Sequence, residues 1–520
     1  MKINPEQIDA DAAKVVERLR RYDHLAYVVG GSVRDLLLGL KPKDFDVATS
    51  ATPNEIRRLF RNCRIIGRRF RLAHVFFGSK IIETSTFRAN PREVEEEAAG
   101  GATETSTEGE RQDLLIRRDN VFGTAEEDAR RRDFTINGLY YDIENGQVID
   151  YVDGMKDLEA RLVRTIGDPD VRFREDPIRI LRAVKFAARC NLSIEPETYR
   201  RMLDHAEELQ KCAQARVSEE FYRLLRAGAA KRSIELLLES GLLKVLSPKL
   251  LETLQADDAD SEARTRKART WAYLAALDRS TAKRESPPSN PLILATLIFP
   301  ALREALHPDT TGVRDIKLLV SQTMAPIVEQ VKASRREAEL ALQILLAMRF
   351  VMPSSNPGRR KPRLAGREFM DDALRLQELV ADAEALAPEL VASPQVAEGD
   401  GTAMSAEAEE RLARELETPG EFERRRGGRG RGGRSFSEGT EGGAEGAAPV
   451  ETGGRHGGGR DSASRDSGGP RPGEHRGRTV RPGAPGKTPI PDLGLLGPCP
   501  PPPPPFLGTG TFGGRWSVSE

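Results

Sequence analysis

Sulfur and histidine are scarce in this sequence of 520 residues. Its four cysteines, Cys63, Cys190, Cys212 and Cys499, are scattered without CxxC spacing, which argues against a disulfide framework and against a thiolate zinc site. The six histidines form no HxxxH pair and no His-Asp dipeptide, so a metal-dependent phosphohydrolase centre of that type is not indicated. No stretch reaches the roughly 18 apolar residues of a membrane span, and MKINPEQIDADAAKVV has no apolar core of signal-peptide length. A reducing cytoplasm is the expected compartment. Net charge is also missing: Lys plus Arg and Asp plus Glu both total 80, so only local clusters can point to a partner. With 38% hydrophobic residues, real cores require that part of the length stay unfolded.

What is present is organised around Tyr27 to Thr49, YVVGGSVRDLLLGLKPKDFDVAT. Ala26 to Val29 is a short β-rich run stopped by Gly30 and Gly31, glycines that let backbone approach a ligand closely. Ser32 is placed to cap a helix whose Val33, Leu36 and Leu37 face a core. Arg34 falls in its first turn, beside backbone N–H groups that suit a phosphate. Gly39 ends the helix, and the next strand begins with Asp44 and Asp46, whose carboxylates share one face while Phe45 and Val47 take the other. Like charges so close need a positive partner, and hard oxygen ligands favour Mg²⁺ or Mn²⁺. Either motif alone is an ordinary turn or strand edge; their succession in so short a span reads as a metal-dependent phosphoryl-transfer site.

GGSVRD followed by DFD resembles the nucleotidyltransferase superfamily, in the branch of bacterial poly(A) polymerases and CCA-adding enzymes. Three later segments extend the resemblance over roughly residues 25 to 390. IIGRRFRLAHV, Ile65 to Val75, is similar to the signature that separates the polymerases from the CCA-adding enzymes. RRDFTIN, Arg131 to Asn137, offers Asp133 as a third carboxylate, Arg131 and Arg132 for phosphates, and Asn137 for a sugar. Glu175, Asp176 and Arg179 match an EDxxR motif, and the resemblance assigns Asp176 and Arg179 to the Watson–Crick edge of the incoming base, with Arg182 in support. By resemblance Asp44 and Asp46 hold the metals and Asp133 completes the site. The nucleotide is then bound by Gly30, Gly31, Arg34, Arg132, Asn137, Asp176 and Arg179, and RNA by Arg68, Arg69 and Arg71. Arg57, Arg58, Arg61 and Arg64 add to that basic stretch and read equally well as a solvated face.

The implied fold class is α+β: a small mixed-sheet, polymerase-beta-like head followed by all-helical neck and body domains and a disordered tail. The expected boundaries are an N-terminal helix in 1–25, the head in 26–165 with a mobile loop at 91–112, the neck in 166–245, the body in 246–392 and the tail in 393–520. Phe173 to Ala188 reads as one helix. The tail carries Arg424, Arg425, Arg426, Arg429, Arg431 and Arg434 among glycines and the run Pro500 to Pro505, a composition that buries no core. The expected activity is template-independent transfer of AMP from ATP to RNA 3′ ends, promoting RNA turnover. The partners are ATP, RNA 3′ ends and RNA-decay proteins, with no membrane span and a monomeric state. The alternatives are a CCA-adding tRNA nucleotidyltransferase and a catalytically idle RNA-binding protein.

Overall fold

The computed structural model describes residues 2–67, 71–89, 121–310, 315–355, 362–391 and 406–418. The expected loop at 91–112, Arg68, Arg69 and the Arg/Gly and proline stretches beyond 418 lie outside them.

The N-terminal segment forms α1 (Ala10–Arg20), capped by Asp9, with Ala12, Val15, Val16 and Leu19 buried. The head is one mixed sheet of seven strands: β1 (Ala26–Val29), β2 (Asp46–Thr49), β3 (Cys63–Ile66), β4 (Leu72–Phe77), β5 (Lys80–Thr86), β6 (Leu139–Asp142) and β7 (Gln147–Asp150), in the order β3-β4-β5-β2-β1-β6-β7. Between β1 and β2 the chain makes α2 (Gly31–Leu37), and α3 (Pro53–Leu59) follows β2 with a Thr52–Glu55 capping box. β2 and β5 are parallel, with Val47 opposite Thr84, while the other pairings in the sheet are antiparallel. The register decides which side chains meet on the open face. α4 (Ala125–Arg130) and α5 (Gly154–Glu159) pack on the head, and β8 (Leu162–Val163) leads out of it.

The chain from Asp168 is almost wholly helical, as expected, but Phe173 to Ala188 is two helices. α6 (Pro169–Glu175) stops at Asp176, which is extended at φ −151°, and α7 (Ile178–Cys190) starts after Pro177. Proline disfavours the helical conformation of the residue before it, so the break belongs to the sequence. β9 (Ser193–Ile194) pairs with β8, a small parallel ladder that periodicity did not signal. There follow α8 (Pro196–Asp204), α9 (Gln214–Leu225), α10 (Ala230–Glu239), α11 (Leu243–Leu246) and α12 (Pro248–Leu254). The body comprises α13 (Ser261–Lys283), α14 (Asn290–Ile298), α15 (Ile316–Gln330), α16 (Arg335–Val351) and α17 (Met370–Leu386). As expected, α14 is buried from Pro291 to Ile298, and α16 buries Ile344 to Phe350.

One boundary needs correction. The region expected to be tail from 393 contains α18 (Ala406–Glu417), whose Leu412 and Leu416 are buried in the same core as the body helices. Lys317 pairs with Glu415, and Arg367 donates to the Thr418 carbonyl. Leucines four residues apart give this short helix an apolar stripe to bury.

Candidate functional site

Asp46 opens β2 half-buried and Asp44 stands exposed just before it, while Phe45 and Val47 pack into the core on the other side, as strand alternation requires. The Asp46 carboxyl is pushed up to about 7 by burial and by the charges of Asp44 and Glu83, with Arg132 opposing. Glu83 was not anticipated. It precedes Thr84, the partner of Val47, so it flanks Asp46 across the β2–β5 pairing. His74 sits across from Glu83 on β4, with Nε2 3.6 Å from its Oε1. As the side chains stand, no three His, Cys, Asp or Glu among the described residues close into a metal-ligand group. The chemistry of the donor set nevertheless suits a divalent cation: Asp44 and Asp46 at the start of β2 neighbour Glu83 on β5, and burial together with their repulsion raises the Asp46 carboxyl, with Arg132 opposing.

Asp133, expected as the third carboxylate, is engaged by donors of its own. Its Oδ2 accepts from Arg182 Nε at 2.6 Å, and its Oδ1 from Asn137 Nδ2 at 3.0 Å and from the Phe134 amide at 2.9 Å. Burial alone would raise its pKa. Arg182 and the Asn137 amide outweigh that and hold the carboxyl well below the usual carboxylate range. Asp133 is thus saturated by donors, a clamp on α7 rather than an open ligand.

The glycine turn is as expected, with a changed cast. Gly30, not Ser32, is the N-cap of α2, at φ +73°, and a Cβ there would stand 2.9 Å from Arg132 Nη1. The Ser32 hydroxyl instead donates to the Val29 carbonyl at 3.3 Å. Gly31 has ordinary space around it. Arg34 does not line an open phosphate site: it is 2% exposed, gripping Asp35 Oδ1 at 2.6 Å and donating to Asn137 Oδ1 at 2.5 Å. Asn137 is therefore held from both sides, by Arg34 and by Asp133. Arg132 lies over the Tyr140 ring and pairs with Asp128 at 3.1 Å, which also accepts from Tyr140 Oη at 2.6 Å. Burial opposes its charge, but Tyr140 and Asp128 hold its pKa above the ordinary arginine value. With Ser85, Arg88, Asp128 and Arg131 it lines a recess of about 180 Å³ on this side of the head.

The EDxxR residues straddle the α6–α7 break. Asp176 does not pair with Arg179, as a solvated helix pair would. Its Oδ2 accepts from Arg216 Nη2 at 2.8 Å, and its buried Oδ1 has no partner. Arg179 is 7% exposed and donates to Glu175 Oε2 at 2.9 Å and to the Arg172 carbonyl at 2.7 Å. Arg172 then donates to the Arg131 carbonyl at 2.7 Å, tying this turn to the head. Of the expected RNA contacts, Arg71 is described and exposed. Sequence reasoning missed Arg216 and Arg172, which alternate with apolar residues as any amphipathic helix would have them.

The head is thus a mixed sheet carrying paired aspartates beside a glycine-capped helix, with an arginine-lined recess next to it. Residues 26–164 match the family described as Poly A polymerase head domain, and residues 191–254 the family described as Probable RNA and SrmB- binding site of polymerase A. These two stretches are similar to the head and RNA-binding domains of the poly(A) polymerase family. It is 49% identical over 246 residues to Poly(A) polymerase I of Salmonella typhimurium, covering 47% of this chain and 51% of that one. It is 38% identical over 238 residues to the CCA-adding enzyme of Levilactobacillus brevis, covering 46% and 55%. The chain therefore spans about half the length of the curated relatives it matches. A solved Bacillus stearothermophilus CCA-adding enzyme in complex with CTP aligns over 80% of this chain and 93% of its own at 22% identity, with a TM-score of 0.44. Among the described residues no helix is long and apolar enough to cross a membrane.

Proposed function

We propose that the chain transfers AMP from ATP to the 3′-hydroxyl of RNA without a template. The carrying observation is the group of carboxylates Asp44, Asp46 and Glu83 within the field of Arg132, whose guanidinium stands against the Gly30 turn. The 3′-oxygen attacks the α-phosphorus, the bond to the bridging oxygen breaks, pyrophosphate leaves, and the hydroxyl proton passes to solvent. Asp44 and Asp46, with Glu83 rather than Asp133 as the third acid, would hold divalent ions, Mg²⁺ or Mn²⁺. Such ions, when bound, stabilise charge on the attacking and leaving oxygens. Gly30 and Gly31 let the triphosphate approach the start of α2, and Arg132 supplies fixed positive charge there. Asn137 addresses the ribose, and Arg34 and Asp133 keep its amide oriented. Asp176 and Arg179 read the base. The unpartnered Asp176 Oδ1 supports that role, because an adenine amino group would satisfy it. The resemblance of residues 191–254 to an RNA-binding region of polymerase A supports RNA as acceptor and leaves room for a protein partner.

The preference for adenylate rests on the higher identity to the poly(A) polymerases, 49% against 38%. The test is extension of a generic RNA and of a tRNA lacking its CCA end, each with ATP alone and with CTP plus ATP. Long A-tails on the generic RNA support the proposal. Two C residues and one A confined to tRNA would replace it with CCA addition. Asp46→Ala should abolish incorporation while RNA binding persists, and retained incorporation would remove the carboxylate assignment.

A further inference from the structure

One cross-strand row on the open face of the head is not accounted for by nucleotide binding. Arg64 on β3 lies opposite His74 on β4, His74 opposite Glu83 on β5, and Glu83 flanks Asp46 on β2. Three strand spacings of about 4.8 Å put Arg64 about 14 Å from the aspartate. Phe76, two residues beyond His74, shares its face. The Arg64 guanidinium lies 5.7 Å from the Phe76 ring centroid, and the His74 ring meets Phe76 edge-on at 6.4 Å. Phe76 is half-buried yet belongs to neither hydrophobic cluster, whereas its neighbour Phe77 packs against the core. Ile66 and Ile81 on the same lobe are 46% and 41% exposed.

The charge on this lobe is equally unusual. Several exposed helical arginines of the neck and body find carboxylates: Arg200 pairs with Glu197, Arg223 with Glu219, Arg232 with Glu239 and Arg266 with Glu262. Arg57, Arg58, Arg61, Arg64 and Arg71, all exposed, have no carboxylate within 4.0 Å among the described residues. Arg64 lies on β3, and Arg61 and Arg71 lie in the chain just before β3 and β4, whereas Arg57 and Arg58 are carried by α3. Unneutralised guanidinium groups beside the outer strands are the footprint of a polyanion, whose binding releases counterions. An aromatic ring between a guanidinium and an imidazole is the platform on which a base of a single strand stacks.

We propose that the Arg64–His74–Phe76 platform seats a base of the RNA acceptor upstream of its reacting 3′ nucleotide, with Arg61, Arg64 and Arg71 on and beside the two outer strands taking the backbone phosphates. This rests on the proposed reaction, because it is the row's continuity with Glu83 and Asp46 that makes the occupant the acceptor strand. Phe76 is two strands across and two residues along from Asp46, about 12 Å, which suits an upstream base rather than the reacting one.

The test measures binding of a 5′-labelled single-stranded oligoadenylate by fluorescence anisotropy, without ATP, in the full-length protein. Phe76→Ala should weaken binding ~10-fold, the usual loss for one stacked base, and Phe76→Trp should restore it. Phe76→Leu keeps the apolar bulk and should behave like the alanine variant. Oligonucleotides with one abasic position, scanned back from the 3′ end, should include one that loses affinity for the wild type but not for Phe76→Ala. Arg64→Ala should flatten the salt dependence of binding by about one phosphate contact. Unchanged RNA affinity in Phe76→Ala, or a raised KM for ATP in its place, overturns the proposal. So does an affinity loss that Phe76→Leu repairs, since bulk alone would then suffice. If Asp46→Ala still extends RNA, the reaction assignment fails instead, whatever the binding data show.

Discussion

Replacing Asp133 separates a clamp from a metal ligand. Its carboxylate receives Arg182 through Nε and Nη2, both at 2.6 Å, together with Asn137 at 3.0 Å and the Phe134 amide at 2.9 Å. Asparagine keeps the shape but not the charge, and its amide group presents donors where donors already point. Charge-assisted bonds contribute roughly 1.5–3 kcal/mol each in mutational series. The freed Arg182 side chain, 33% exposed, recovers part of that loss by hydration. Asp133→Asn should therefore cost ~2–3 kcal/mol in urea unfolding followed by far-ultraviolet circular dichroism. Arg182→Met should cost more, ~3–5 kcal/mol, because it strands a carboxylate only 10% exposed. The folded pKa of Asp133 lies below its unfolded value, so its contribution is present above that unfolded value, about 3.9, and is lost as pH falls through the folded one. The gap between wild type and Asp133→Asn should thus narrow as pH is lowered from about 5 toward 2. The Mg²⁺ concentration for half-maximal incorporation should stay within about twofold of wild type. A stable Asp133→Asn whose Mg²⁺ requirement rises tenfold would refute the clamp and return Asp133 to the metal site.

Gly30→Ala forces a β-carbon onto a residue at φ +73° and into Arg132; it should cost ~1–3 kcal/mol in thermal unfolding and raise the KM for ATP several-fold by displacing that arginine. Lys185, near Glu220, has its pKa brought down to about 8, chiefly by burial and then by Arg182. Between pH 8 and the unfolded value of 10.5 the unfolded chain binds the extra proton, so Lys185 should make stability rise with pH there, and Lys185→Met should remove that rise relative to wild type. A chain ended at residue 418 should unfold like the full-length protein, whereas one ended at 391 exposes the surface covered by Leu412 and Leu416. It should lose ~2–4 kcal/mol, and equal denaturation midpoints for the two would show that α18 does not brace the body.

The head was legible because its signals are local. A β-rich run, a glycine stop, an apolar face at helical spacing and two alternating aspartates are each fixed by neighbours a few residues away, and β1, α2 and β2 follow them closely. Partners were not legible. Asp133 looked like a ligand because nothing near it in sequence is its counter-ion, which is Arg182, 49 residues on. Glu83 looked incidental in KIIETST because its place beside Asp46 depends on a parallel register that no short-range pattern reveals. Pro177 was readable as a helix break, since the residue before a proline avoids helical geometry, and the apolar spacing on either side of it concealed the signal. α18 was hidden by its surroundings: a dozen amphipathic residues between stretches whose composition argues against any core.

The partners explain which charges are left over for chemistry. Arg189 and Arg182, seven residues apart on one face of α7, grip the two ends of a single chain of bonds: Arg189 to Asp35, Asp35 to Arg34, Arg34 to Asn137, Asn137 to Asp133, and Asp133 to Arg182. Every buried charge in that chain has its opposite, which is the condition for keeping it away from water. The motifs GGSVRD and RRDFTIN thus use half of their polar residues on each other and on α7, and so fix the turn at Asp176 relative to the head. Among the described residues, Asp44 and Asp46 have no cation in bonding range and Arg64, on the same open face, has no carboxylate. Unmatched charges of both signs, about 14 Å apart on one cross-strand row, would cancel if they only served the fold. Kept apart by rigid strands, they cannot neutralise one another, which is the arrangement the proposed cation and acceptor-strand sites require.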